Sequence, residues 1–529
     1  MSSAEIRERF QRFFEERGHT RVAPIPLLAR DDPTLLFVNA GMVAFKRVFT
    51  GEEKRDYTRA VDAQPALRVA GKHNDFEEVG RTPRHQTLFE MLGSWSFGDY
   101  FKREAIHWHW ELLTEVFGLA ADRLAATVYI DDDEAHAIWT DEIGLPPERI
   151  VRWGNIAVGD EKNFWSMGPV GPCGPCSELH YDRGVELSEG PECIPDHSET
   201  CPRWLEVGNL VFMQFDRSAD GALSPLPFNS VDTGTGLERL ASAIQGVDSN
   251  YKTDLFVPIV ARLADFLGHD PDTVESERFS YQVVADHSRA MTFLLGEGIR
   301  PGNDGAAYVL RRIMRRAVRH GRLMGIDRPF LRQTCSVVIE IMGDAYPALR
   351  SGADEILDQV DAEEAKFART LQAGSDRLTA LIDTIGATRM IPGQEAFHLH
   401  DTFGFPIDLT VELAAERGVQ VDRAGFDAAM EEQRERSRGT KQAAIVAAAE
   451  LAGLASEFIG YPNETRASGL KILGVSGELD RSVVVLDRTP FYAEGGGQIG
   501  DRGELIGDRG RLSVEDTQRV GEAITHVGR

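Results

Sequence analysis

Three short segments carry the residue types that phosphate chemistry requires. From Arg68 to Lys102 the chain reads RVAGKHNDFEEVGRTPRHQTLFEMLGSWSFGDYFK, which puts Arg68, Lys72, His73, Arg81, Arg84 and His85 in a charged stretch with Phe89 shortly after it. A guanidinium gives planar, bidentate contact to phosphate and an aromatic face supplies area for a purine, so this order suits ATP bent over a sheet. An ordinary solvated hairpin loop is the alternative. From Val231 to Leu240, VDTGTGLERL brings Asp232, Gly234 and Arg239 together, with glycines that allow close backbone approach. In LEVGNLVF, Glu206 and Asn209 stand three apart. A hard cation bridging phosphates takes carboxylate oxygen and water, which makes Glu206 a candidate ligand for Mg2+; the other reading is a polar strand end.

Cysteine chemistry is sparse. Five cysteines in 529 residues argue against a disulfide framework and fit a reducing compartment. Cys173 and Cys176 form a CxxC, but no second pair follows at zinc-ribbon spacing. Cys193, His197 and Cys201 recur at four-residue intervals and offer three ligands to zinc, with a cysteine of the CxxC as the fourth. Small residues packed in a turn-rich insertion are the alternative for both groups.

The elements that must position these residues follow from periodicity. An apolar lead-in to Arg68 and an apolar run through Leu88, Phe89, Met91 and Leu92 predict strand, long loop, strand. Arg239 begins a helix. The opening helix AEIRERFQRFFEERG is apolar at Ile6, Phe10, Phe13 and Phe14 and stops at Gly18. Composition shifts divide the chain into residues 1–248, an α/β (α+β) domain holding the nucleotide segments, residues 249–456, nearly all helical, and residues 457–529, the start of a β-rich domain. Long amphipathic stretches such as Asp354 to Ile385 and Ala424 to Arg438 mark the second of these.

The net charge of −26 is unfavourable for nucleic acid, yet its distribution is uneven. Between Arg300 and Arg322 seven arginines and His320 face one acid, Asp304. Arg311, Arg312, Arg315, Arg316 and Arg319 fall at helical spacing, with Leu310, Ile313, Met314 and Ala317 available to a core. Such a helix presents a basic face to RNA or to solvent. No run of about 18 apolar residues exists and the amino terminus lacks a signal-peptide core, so no membrane association and a cytoplasmic location are expected. GGGQIG at 495–500 matches G-x-G-x-x-G, but DRGEL follows it instead of a helix, so it reads as a glycine-rich loop between strands.

Together the segments at 68–102 and 231–240 resemble motifs 2 and 3 of class II aminoacyl-tRNA synthetases. FVNAGMVAFK at 37–46, NFWSMGPVGPCGPCSE at 163–178, VFMQFD at 211–216, VADHSR at 283–288, YVLRRIMRRAVRHG at 308–321, DTFGFPIDLT at 401–410 and TPFYAEGGGQIGDRG at 489–503 are similar to words of the alanyl-tRNA synthetase family. The resemblance is nearly chain-long, and the class I words HIGH and KMSKS are absent, as is a Walker A loop.

That resemblance implies an antiparallel-sheet catalytic domain that joins L-alanine to ATP and passes it to tRNA(Ala). Arg68 would contact the α-phosphate and the incoming carboxylate, with Lys72 and His73 in the same ATP loop, while Arg239 and Phe89 hold the adenine between them. Glu206 would carry Mg2+. Asp232 would pair with the alanine ammonium in a site shared with Trp165, Asn209, Val211 and Gly234. The helical domain would bind tRNA through Arg311, Arg312 and Arg315 and read a G·U acceptor-stem pair through Asn303 and Asp401. Ala70 agrees with the family, but Gly208 stands where many relatives have tryptophan and Ala306 where relatives commonly have arginine. Zinc in full-length relatives belongs to an editing centre; no HxxxH pair occurs among the fourteen histidines and the sequence ends at Arg529. A monomer that makes some seryl- and glycyl-tRNA without clearing it is therefore expected. A catalytically silent RNA-binding relative and a free-standing editing hydrolase are the competing readings; the first would need damaged ATP residues and the second the absent zinc ligands.

Overall fold

The strand pairs around Arg68 and Asp232 set the architecture. In the computed structural model the chain is described throughout except at residues 30–34, 70–73, 167, 169, 191–192, 199–200, 304, 386–388, 404, 406, 433–450, 452, 461–466, 479–480, 494–500, 508–509 and 521–522. Two compact units, Met1–Leu371 and Gln372–Arg529, are described separately below.

In the first unit nine strands make one sheet: β1 (Thr20–Arg21), β2 (Arg59–Leu67), β3 (Leu88–Phe97), β4 (Leu124–Tyr129), β5 (Ile150–Trp153), β6 (Phe164–Ser166), β7 (Gly171–Asp182), β8 (Trp204–Arg217) and β9 (Leu223–Gly236). Their order is β1-β2-β3-β9-β8-β7-β4-β5, with β6 against β7. β1 and β2 are parallel, as are β4 and β5, and the central pairs are antiparallel. Register puts Asp62 opposite Gly93, Gly93 opposite Gly234, Gly234 opposite Asn209 and Asn209 opposite Glu178. The next row runs Trp95, Asp232, Val211 and Cys176. Because alternate residues of a strand share a face, these two rows place acids, glycines and an indole on one side of the sheet.

Helix α1 (Ser3–Glu15) starts in a capping box, with Ser2 and Glu5 each satisfying the other's backbone N–H, and buries Ile6, Phe10, Phe13 and Phe14. Its Arg7 makes a two-pronged ion pair with Glu90 of β3. Helix α2 (Leu237–Gln245) leaves β9 directly and ends at Gly246, whose φ of +67° accommodates the left-handed turn. Glu238 at its start accepts from the Glu90 backbone N–H and from Arg289 of α3 (Arg278–Gly296). Glu90, Glu238 and Arg289 are almost wholly buried, so each charge depends on the others for solvation.

Helix α4 (Gly305–Leu323) does not present a single basic face. Arg315, Arg316 and Arg319 are buried. Arg315 reaches Glu363 and lies over Phe367, and Arg316 donates to the carbonyls of Phe76 and Val79. Arg312 pairs with Glu77 and, with Arg316, covers the Phe76 ring, on which the imidazole of His287 is stacked. The spacing of the arginines is helical, but acceptors from distant segments draw Arg315 and Arg316 inward.

The second unit contains helices Gly393–Phe403 and Ile407–Glu416 and an antiparallel sheet in the order Ile472–Glu478, Arg481–Leu486, Ala523–Gly528, Gly510–Val520, Gly503–Gly507. GGGQIG at 495–500 lies outside the described residues, as does the later part of the Ala424 to Arg438 stretch. No described helix is long and apolar enough to cross a membrane.

Candidate active site

Against the sheet face of the first unit lies an open pocket lined by seventeen residues, among them Arg68, Phe89, Trp165, Glu206, Asn209, Val211, Asp232, Gly234 and Arg239. Of the residues expected to hold ATP and the amino acid, only Lys72 and His73 are missing from this account, because they lie outside the described residues, as does Ala70.

The pocket has two chemically distinct ends. At one, the Arg68 guanidinium lies 4.9 Å from the centre of the Phe89 ring and donates to the Asn39 carbonyl. Arg239, in the first turn of α2, pairs with Glu206 of β8. Arg84 lines the same wall, and its guanidinium is held by the carbonyls of Cys201 and Trp204 at 3.1 and 3.3 Å. Burial lowers the pKa of Arg68 and of Arg84 from the ordinary arginine value, as expected where cations crowd without water. These cations form an anion-binding end. Burial also drives His85 down to about 3, so its imidazole is neutral there.

Oxygen donors gather beside the cations. Asn209 gives one amide N–H to Glu178 at 3.1 Å, while its Oδ1 is buried with no hydrogen-bond partner. Burial raises the Glu178 carboxyl against the opposing effect of the His180 hydrogen bond, and the like charge of Glu206 adds to the rise. Burial also works against the Glu206 charge, but Arg239, His180 and Arg68 outweigh it and hold the carboxyl below its usual range. Two carboxylates and an orphaned amide oxygen form a hard-donor set that fits Mg2+.

At the other end Asp232 is buried and its Oδ1 accepts from Trp95 Nε1 at 2.7 Å. Burial pushes its carboxyl up to about 7, against the opposing effect of that hydrogen bond. Gly93 makes the arrangement possible: a Cβ there would lie 2.1 Å from the Trp95 ring, so the indole can lie flat over the strand only where no side chain projects. Gly234 similarly lets Met91 approach, whose sulfur would be 3.2 Å from an added Cβ. Trp165 and Val211 pack in the same cluster as Trp95. At Gly208 an added Cβ would meet nothing closer than Thr235 Oγ1 at 3.4 Å, so the wall has room for a larger residue.

Several residues of the site are invisible to motif reading. Asp62 is buried in β2, both its carboxylate oxygens lack partners, and burial together with Asp232 raises its pKa well above the ordinary value. The available signal was an acid inside the apolar run RAVDAQPAL. Trp95 reads as core, and nothing near it in sequence points to Asp232. Glu178 acts through Asn209 on the neighbouring strand.

The remaining expected residues lie elsewhere. Asn303 is exposed, Arg311 and Arg312 are half-buried on α4, and Arg315 is turned inward. Asp401 falls in the helix Gly393–Phe403. Cys193, His197 and Cys201 do converge, with one potential ligand atom from each within 4.8 Å of the others. The CxxC does not join them: Cys173 packs with Tyr129 and Phe164, and Cys176 with Trp95 and Val211. Neither cysteine belongs to that metal-ligating group, so the expectation of a fourth ligand from the CxxC is corrected.

Relatives share this sequence over most of its length. An alanine–tRNA ligase of Janthinobacterium sp. (strain Marseille) is 50% identical over 529 residues, covering 98% of this chain and 60% of its own. That of Herminiimonas arsenicoxydans gives the same figures, and that of Stenotrophomonas maltophilia (strain K279a) is 48% identical over 550 residues, covering 100% of this chain and 61% of its own. The chain thus spans about 60% of the length of the curated relatives it matches. Since the pocket joins a cationic end to a buried acid on an antiparallel sheet, and the profile of tRNA synthetases class II (A) matches residues 5–529, the chain belongs to that family.

Proposed function

We propose that this chain activates L-alanine with ATP and transfers it to tRNA(Ala). One observation carries the reading: a single pocket holds Arg68, Phe89 and Arg239 at one end and Asp232 at the other. In the first step an alanine carboxylate oxygen attacks the α-phosphorus, a P–O bond forms, the bond to the bridging oxygen breaks and pyrophosphate leaves. Charge gathers on the phosphoryl oxygens, and positioned guanidinium groups in a partly desolvated wall stabilise it. Arg68 suits the α-phosphate and carboxylate, Arg239 with Phe89 suits the adenine, and Lys72 and His73 belong to the same ATP loop. Mg2+ held through Glu206 would neutralise phosphate charge.

Asp232 must be ionised to receive the substrate ammonium, and Trp95 orients it. Trp165, Val211 and Met91 restrict the remaining space, with Asn209 and Gly234 completing the alanine site. In the second step the terminal 3′-hydroxyl of tRNA attacks the adenylate carbonyl and AMP leaves; no side chain among the described residues is an obvious base, and a substrate phosphate oxygen is one acceptor open to the hydroxyl proton. The acceptor stem would meet Asn303, Arg311 and Arg312, with Arg315 bracing α4 from inside, and Asn303 and Asp401 would read the G·U pair. The cytoplasm is the compartment where tRNA is charged.

The test is alanine-dependent exchange of labelled pyrophosphate into ATP, with serine and glycine in parallel and Asp232→Ala as control. Exchange with alanine that the control loses supports the reading. Folded, ATP-binding protein without exchange would favour a silent RNA-binding relative.

A further inference from the structure

Cys193, His197 and Cys201 lie at the end of the loop between β7 and β8, beside the anion-binding end of the pocket but outside its chemistry. The two sulfurs are 3.7 Å apart, too far for a disulfide. In a tetrahedral zinc site with Zn–S near 2.3 Å, two thiolates stand roughly 3.8 Å apart. Cys193 and Cys201 are buried together with Ala125 and Trp204, which shields the sulfurs from water.

The surroundings are those of thiolate ligands. The backbone N–H of Glu189 is directed at the Cys193 sulfur, and those of Arg203 and Trp204 at the Cys201 sulfur. His197 Nδ1 lies 2.8 Å from the Ile194 carbonyl, a contact that fixes the orientation of the ring. Glu189 Oε2 lies 3.0 Å from His197 Nε2, so a carboxylate borders the imidazole from outside the three-residue group. Two soft sulfurs and an imidazole suit zinc better than a hard cation.

From this juxtaposition we propose that Cys193, His197 and Cys201 bind one structural Zn2+. The ion would pin the loop that walls the phosphate end. Asp196 and Ser198, between the ligands, line the space there with His180, Glu206 and Arg239. The carbonyls of Cys201 and Trp204 hold Arg84. Trp153 donates to the Pro195 carbonyl at 2.9 Å, so the loop is also fastened to β5.

Metal content and coordination test this independently of whether the chain charges tRNA. The full chain, purified without a histidine tag under reducing conditions, should carry about one zinc per chain by mass spectrometry. Exchange for Co2+ should produce thiolate-to-cobalt charge transfer and tetrahedral d–d bands. The Cys193→Ser, Cys201→Ser double variant should lose the metal, while Cys335→Ser keeps it. Since the double variant could fail to fold, cobalt titration of the unsubstituted metal-free chain is the deciding measurement. No thiolate–cobalt band in that titration, or zinc retained by a folded double variant, would overturn the assignment.

Discussion

At pH 8 the Asp232→Asn protein should be more stable than the unsubstituted chain while losing alanine-dependent exchange. The native Asp232 carboxyl titrates at about 7 against an ordinary value of 3.8, because burial disfavours its charge more than the Trp95 hydrogen bond favours it. The folded protein therefore holds this proton more tightly than the unfolded chain. Stability from the group is fully present below about pH 4 and is lost as pH rises through about 7. A rise of this size, at about 1.36 kcal/mol per unit, corresponds to roughly 4 kcal/mol withdrawn by pH 8. Asparagine keeps an oxygen for Trp95 and never ionises, so the variant escapes the loss. Calorimetric unfolding of both proteins from pH 4 to pH 8 should show the difference grow with pH and level off above about 7. A difference that does not change with pH, or a variant less stable at pH 8, would refute the account of Asp232 as a buried acid held for a cationic substrate.

Three further outcomes follow from named contacts. Trp95→Phe removes the donor that restrains the Asp232 pKa, so the rise of alanine kcat/KM with pH, which should level off above about 7 in the unsubstituted chain, should shift upward by about one pH unit; exchange rates across pH 6 to 9 would show it. Arg289→Met leaves buried Glu238 without its ion partner and should cost about 3 to 5 kcal/mol in urea unfolding, whereas loss of the exposed Arg350 partner of Asp344 should cost less than about 1 kcal/mol. Asp401→Ala should lower tRNA charging while sparing pyrophosphate exchange; equal loss of both would refute its role in reading the acceptor stem.

Some of this was legible because local patterns fix local structure. Apolar runs flanking a charged stretch gave β2, the loop after Arg68 and β3, and glycines followed by LERL gave the passage from β9 to α2. Cross-strand register was not legible, and register decides which residues share the pocket. Asp62 and Asp232 are 170 positions apart in sequence yet meet through adjacent rows of the sheet. The same limit explains α4. Its period was readable, but the partner of Arg316 is the Phe76 carbonyl, 240 residues earlier, and no window on the helix contains it.

Phe76 occupies a mechanical position: its ring is clasped between His287 on one side and the guanidinium groups of Arg312 and Arg316, in the loop that starts at Arg68. A polyanion drawing Arg312 outward must break its pair with Glu77 and loosen that clasp, doing work on the segment proposed to hold ATP. Thermodynamic reciprocity then requires that nucleotide settling against Arg68 alter the affinity of α4 for the polyanion by the same factor. If the proposed sites hold, ligands at Arg68 and at α4 would thus sense each other through one phenyl ring.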